Sequence, residues 1–354
     1  MRLCLAIPVL LAACGDDGPK THIDAAVPDA AMVSFGTFIP VKFPETSQPT
    51  SPNAFTADID IDTDTSSLCD TVNDHKGQYC VVTGTTLSIA TGVTVSAHGS
   101  KPLIFLATQT IDLNGTLDVS SRHAPAHTGP GARATCTGAT EATGISGGYG
   151  GSYGGKGGAG GMITGGTGGV AAAASTPPAN TLLGGCPGGA GAGGGGAGGA
   201  GGGAVLLSAT GIHFNGIINA SGSGGLGGGT TNSGAGGGGS GGMIVLEGTI
   251  TPGSAANLYL FANGGGGGQG GTANAAAAPS GGESTAPNTL GAGGNNGVLN
   301  GGKGGDGSVG ALHVDGDLGS TKSATSGGGG GGGGAGVIVT PSIAGAVIAP
   351  PPTT

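Results

Sequence analysis

The sequence predicts an all-β protein, a right-handed parallel β-helix or solenoid with long glycine-rich loops. Three observations carry this expectation. Short segments alternate apolar and polar residues with a period of two, the signature of half-buried strands. A unit of about 20 residues recurs along the chain, close to one turn of a repeat architecture. Eighty-eight of the 354 residues are glycine, gathered in runs between those units. An antiparallel β-sandwich is the alternative, because Asn-Gly pairs also make two-residue hairpins.

The strand-like segments follow one another in order. Ile59 and Ile61 alternate with Asp58, Asp60, Asp62 and Asp64. Leu87, Ile89, Val93 and Val95 alternate with hydroxyl residues, and Leu103 to Leu106 is a continuous apolar run. Ile111, Leu113, Leu117 and Val119 then alternate around Asn114-Gly115. After a long glycine stretch the same pattern returns. Val205–Ala209 stands where Leu103–Ala107 stood, and 212–221 repeats 111–120 with Asn215-Gly216 at the equivalent turn. Looser copies begin at Met243, Ala311 and Val337. A lone unit cannot bury its narrow apolar face, whereas units stacked in register form a continuous core. Asn-Gly supplies corners, and asparagines at equivalent turns are placed to hydrogen-bond along the stack.

The glycine tracts (147–169, 184–203, 222–242, 264–271, 291–310 and 327–336) read as flexible loops on one face. A second reading makes them a packed bundle of polyproline-II-like chains, with their backbone groups hydrogen-bonded between chains. Met162, Ile163, Leu182, Leu183 and Leu226 are the apolar residues available to pin them down.

Composition narrows the function classes. There is no Trp, charged residues are 8%, and the formal net charge of -9 is concentrated near the N-terminus. No cluster of Lys and Arg is present to neutralise phosphates, so nucleic acid is not an expected partner. Gly and Pro are about 30% of the chain without a Gly-X-Y period, which excludes collagen.

The first residues have the form of an export signal: Arg2, an apolar run to Ala13, then Cys14. Leu11-Ala12-Ala13-Cys14 resembles the bacterial lipobox, and the resemblance implies lipid on Cys14. The expected organisation is a signal peptide over 1–13 and a flexible tether over 14–54. An N-terminal β region (55–143), glycine-rich repeats (144–349) and a tail (350–354) follow. After Cys14, four cysteines remain: Cys69, Cys80, Cys136 and Cys186. An even count in an exported chain indicates disulfides, with three connectivities open. Nearness in sequence favours Cys69–Cys80 and Cys136–Cys186.

Candidate chemistry is sparse. Asp58, Asp60, Asp62 and Asp64 resemble the start of a calcium loop, but Gly at position six and Glu at position twelve are missing. Calcium is the only cofactor suggested, and a solvated strand face is the simpler expectation. His123 and His127 form an H-x-x-x-H spacing interrupted by Pro125, which offers a loop metal site at most. Asp112 with Asp118, or Asp315 with Asp317, are the carboxylates a carbohydrate-active β-helix enzyme would pair. Basic partners for them are few, and no catalytic residue is assigned.

Alternating strands, Asn-Gly turns and poly-Gly after a lipobox together resemble the glycine-rich lipoproteins of myxobacteria. The resemblance covers nearly the whole chain, is compositional, and implies location and architecture without supplying catalytic residues. The expected function is a lipid-anchored structural or adhesive protein of the cell envelope with no catalytic activity. Its expected partners are the membrane and polysaccharide or other envelope proteins, and its expected place is the outer membrane or cell surface. A polysaccharide lyase or hydrolase is the alternative.

Overall fold

A computed structural model describes residues 31–253, 258–273, 276–297, 300–322 and 325–353. Cys14 and the signal segment lie outside the described residues. Sixteen strands form among the described residues. They are β1 (Met32–Phe35), β2 (Val41–Pro44), β3 (Asn53–Phe55), β4 (Ile59–Asp62), β5 (Cys80–Ile89), β6 (Thr94–His98), β7 (Leu103–Leu113) and β8 (Thr116–Asp118). After these come β9 (Arg122–His123), β10 (Ala126–His127), β11 (Ala204–Phe214), β12 (Ile217–Asn219), β13 (Met243–Pro252), β14 (Tyr259–Phe261), β15 (Val337–Val339) and β16 (Val347–Ala349).

Two six-stranded sheets dominate. One has the order β15-β13-β11-β7-β5-β3, the other β16-β14-β12-β8-β6-β4, and every pairing within them is parallel. The antiparallel sandwich is thereby overturned. So is the expected right-handed parallel β-helix with loop-like glycine tracts. Residues 119–203 separate β8 from β11, 220–242 separate β12 from β13 and 262–336 separate β14 from β15, so no uniform coil repeats among the described residues. The unit expected at Ala311 does not form a strand: Val309 and His313 close a turn, and Leu312 is 100% exposed. Asn114-Gly115 and Asn215-Gly216 join a strand of the first sheet to one of the second, as corners and not as hairpins. Glycine is needed there for close approach and not for a positive φ. A Cβ on Gly216 would overlap the Gly115 carbonyl, and Asn215 Nδ2 donates to Asn114 Oδ1 at 3.3 Å.

The main core lies between the sheets. Val82, Leu87, Phe105, Ile111, Leu207 and Phe214 of the first sheet meet Ile61, Val95, Leu117, Ile218 and Leu260 of the second. Phe55 stacks on Phe105 with centroids 5.7 Å apart. A second core covers the other face of the first sheet, where Val81, Ile104, Leu106, Leu206 and Val245 pack under Ile39, Val41, Phe43, Tyr153 and Leu182. Burial on both faces explains the unbroken apolar run Leu103–Leu106. Residues 31–54, expected within a flexible tether, are therefore built into the fold. β1 and β2 form an antiparallel hairpin with Val41 and Phe43 wholly buried, and the Phe38 amide donates to Glu247 of β13 at 3.3 Å.

Tyr153 is the largest side chain of this second core. Its hydroxyl donates to the Leu183 carbonyl at 3.2 Å, and the Arg133 guanidinium lies 4.5 Å from the ring centre. Burial pushes its hydroxyl pKa up to about 12, partly opposed by the Arg133 charge. Because the folded pKa exceeds the unfolded one, this contribution is intact below about pH 10 and is lost as pH rises towards about 12. Urea denaturation should show stability falling by about 2–3 kcal/mol over that interval. Tyr153→Phe should flatten this fall, and an unchanged slope would refute the assignment.

The glycine tracts are packed, not slack. In 327–336 successive residues donate in three directions with a period of three. Gly327, Gly330, Gly333 and Gly336 donate to the carbonyls of Gly271, Gly268, Gly265 and Ala262. Gly328, Gly331 and Gly334 donate to Ile145, Gly148 and Gly151, and Gly329, Gly332 and Ala335 donate to Ser320, Asp317 and Val314. The carbonyls accept from three further segments in the same rhythm. Gly302, Gly305 and Ser308 supply one set, Ala235, Gly238 and Gly241 the second, and Gly161, Gly158 and Gly155 the third. One extended chain is thus bonded to six neighbours, some parallel and some antiparallel. A three-residue period is that of a polyproline-II helix, which has no internal hydrogen bonds and turns all its polar groups outward. Side chains would block the contact. The bundle meets the accounting rule for buried backbone groups without a β-ladder. Its segments run straight into the first sheet, since Gly203, Gly242 and Gly336 immediately precede β11, β13 and β15. Of the proposed pins, Leu182 is buried and Leu183 packs beside it, whereas Met162 and Leu226 are exposed.

Both disulfides form between sequence neighbours, Cys69–Cys80 and Cys136–Cys186. The first ties the loop after β4 to the start of β5. The second ties the 128–145 loop to the bundle, where the Cys186 amide donates to Ser240 Oγ at 2.8 Å.

Candidate metal centre

The four N-terminal aspartates do not assemble into a calcium loop, because each serves a different neighbour. Asp58 Oδ1 accepts from the Thr94 amide at 2.8 Å, and Asp60 Oδ1 accepts from Ser96 Oγ at 2.9 Å. Asp62 accepts from Thr65 Oγ1 at 2.6 Å and the Asp64 amide at 2.9 Å, hydrogen bonds that hold its carboxyl below the usual range. Asp64 accepts from the Ser100 amide at 2.8 Å and its hydroxyl at 2.5 Å. In a strand, residues two apart stand about 7 Å from each other, too far for one ion to collect successive carboxylates directly.

Asp60 instead belongs to a cluster that the sequence does not display. In the second sheet Asp60 is paired with Ser96 and Asp62 with His98, so Asp60 and His98 share the face away from the core. Ile61 and Ala97 occupy the buried face between them. The short hairpin of β9 and β10 carries His127 to the same place. His98 Nδ1 lies 3.1 Å from Asp60 Oδ2, and His127 Nε2 lies 3.5 Å from Asp60 Oδ1. The two rings are 5.5 Å apart at 59°. One ligand atom from each of the three residues falls within 4.8 Å of the other two, the one such cluster among the described residues. Burial alone would raise the Asp60 carboxyl, but its contacts with Ser96, His98 and His127 bring it below its ordinary value.

The remaining candidates go elsewhere. His123 and His127 do not act together: His123 Nδ1 meets Glu283 at 2.8 Å, across the hairpin from His127. Asp112 and Asp118 stand on different sheets. Asp112 pairs with His213 of the adjacent strand at 2.5 Å, and Asp118 with Arg122 at 3.4 Å. Asp315 accepts from the Lys156 amide at 2.7 Å, and Asp317 contacts His313 at 3.2 Å. A separate apolar cleft of about 380 Å³, lined by Phe38, Pro177, Met243, Val337, Val339 and Pro350, opens beside edge strand β15.

His98 was invisible to spacing because 38 residues separate it from Asp60. The signal that existed was the alternation of Ser96 and His98 with Val95 and Ala97, which puts them on the solvent side of a strand. Compared with known proteins, the chain matches no family model, no curated protein and no solved structure. No helix among the described residues is long and apolar enough to cross a membrane.

Proposed function

We propose that this protein is a structural or adhesive element of a bacterial cell envelope, held to the membrane by lipid on Cys14. The observation that supports this reading best is the glycine bundle. A body bonded in six directions through its backbone is stiff, carries little charge, and depends little on aromatic packing. Those properties suit a load-bearing or contact-making module better than a site that must move. Two disulfides fit an oxidising location outside the cytoplasm. Acylation at Cys14 would supply anchoring that the described fold does not need to provide.

Fractionation of cells producing the full chain tests the anchor. The protein should sediment with membranes, and Cys14→Ala should release it or leave an unprocessed precursor; processed Cys14→Ala protein still bound to membranes would contradict the anchor. Cells lacking the protein should attach less well to polysaccharide-coated surfaces, with recovery on complementation. Equal attachment of both strains would overturn the adhesive role.

A further inference from the structure

We propose that Asp60, His98 and His127 form a binding site for a divalent transition-metal ion of the zinc class, which clamps the β9–β10 hairpin onto the outer face of the second sheet. Two imidazole nitrogens with one carboxylate oxygen is a donor set for zinc, cobalt, nickel or copper. Calcium and magnesium select oxygen ligands. The proposal concerns different residues from the anchor and stands independently of it.

The state of His127 carries the argument. Its side chain is only 10% exposed. Its Nδ1 lies 3.0 Å from the Ser120 carbonyl oxygen, which can only accept, so Nδ1 carries the proton. In the neutral ring Nε2 is then a lone pair, and it faces a carboxylate oxygen at 3.5 Å. Two acceptors facing each other repel unless a proton or a metal ion lies between them. Nε2 is buried and makes no hydrogen bond of acceptable geometry, and the same holds for His98 Nδ1 despite its nearness to Asp60. The Nδ1–H to carbonyl contact is also the outer-shell arrangement that orients a ligating histidine.

The dimensions agree. Bonds of about 2.0–2.1 Å put tetrahedral ligand atoms about 3.3 Å apart. The two Asp60 contacts are 3.1 and 3.5 Å, and no pair of ligand atoms exceeds 4.8 Å. Asp60 and His98 are partly open to solvent, which leaves a fourth position for water. The three ligands lie on β4, β6 and β10, so an ion there joins segments far apart in sequence.

The test uses full-length protein without a histidine tag, stripped with EDTA and titrated with Zn²⁺ by calorimetry at neutral pH, with Co²⁺ as a spectroscopic probe. One saturable ion per chain is expected, with visible cobalt bands of nitrogen–oxygen coordination, and Ca²⁺ should not compete. His98→Gln and His127→Gln should each weaken binding by about 10-fold or more. His123→Gln and His213→Gln, which alter histidines paired elsewhere, should leave it unchanged. His98 is partly exposed, so His98→Gln reports on the site even if His127→Gln disturbs the hairpin. Absence of saturable Zn²⁺ and Co²⁺ binding, or equal binding by His98→Gln and the parent, would overturn the proposal.

Discussion

Gly330→Val should destabilise the protein by at least about 4 kcal/mol, enough to abolish soluble expression of an ordinary domain. A Cβ at Gly330 would sit closer than 3.0 Å to the Gly236 carbonyl, a position real Cβ atoms essentially never occupy. The obstacle is backbone of a neighbouring segment, which is itself bonded to further segments, so no side chain can swing aside. Gly332 is equally confined, against the Asp306 carbonyl. Gly211 is the control. It lies in β11, and a Cβ there would find Thr110 Cγ2 at 3.7 Å and the Thr249 carbonyl at 4.0 Å, ordinary contact. Gly211→Ala should change stability by no more than about 0.5–1 kcal/mol, in the stabilising direction. Urea denaturation of the three proteins separates the outcomes. A Gly330→Val protein as stable as the parent would mean that the bundle does not pack as described.

Removing Cys136–Cys186 should cost about 4 kcal/mol, and removing Cys69–Cys80 about 3 kcal/mol, on the loop-closure model. The loops closed are 50 and 11 residues in sequence separation, so the ordering follows from chain entropy alone. The larger loop spans 147–161, whose chains contribute to the bundle, and its release should loosen segments that have few side chains to hold them. Paired alanine variants, Cys136→Ala with Cys186→Ala and Cys69→Ala with Cys80→Ala, compared by thermal and urea unfolding, check the order. A larger loss for the short loop would contradict it.

Much of the strand content was legible in the sequence, because period-two alternation is a local property. Ile59 to Ile61, Leu87 to Val95 and the matched stretches 111–120 and 212–221 all fall within or beside strands. Their parallel pairing was also anticipated, yet the regular coil inferred from it does not form. The repeat signal at Ala311 shows why: apolar residues there have the right spacing but lie in a turn closed by Val309 and His313. Residues 31–54 misled in the opposite direction. Prolines and acidic residues suggested a tether, while Val41 and Phe43 found an uncovered sheet face. Glycine tracts are the least legible element, because a residue without a side chain carries no periodicity to read. Their order depends on which chains happen to lie beside them, and only the three-dimensional hydrogen-bond pattern reveals that. The metal cluster was half legible. Asp60 stood among the calcium candidates and His127 in a motif with His123, while His98 and the convergence of the three came from strand register.

Native-state hydrogen exchange at the glycine amides of 327–336 tests the central claim most directly. If the tract lies at the centre of a bonded bundle, these amides should exchange as slowly as those of β7 and β11, through opening close to global unfolding. Exchange at the rate of unprotected chain, while β7 and β11 remain protected, would show that the tract is a loop and would contradict the account.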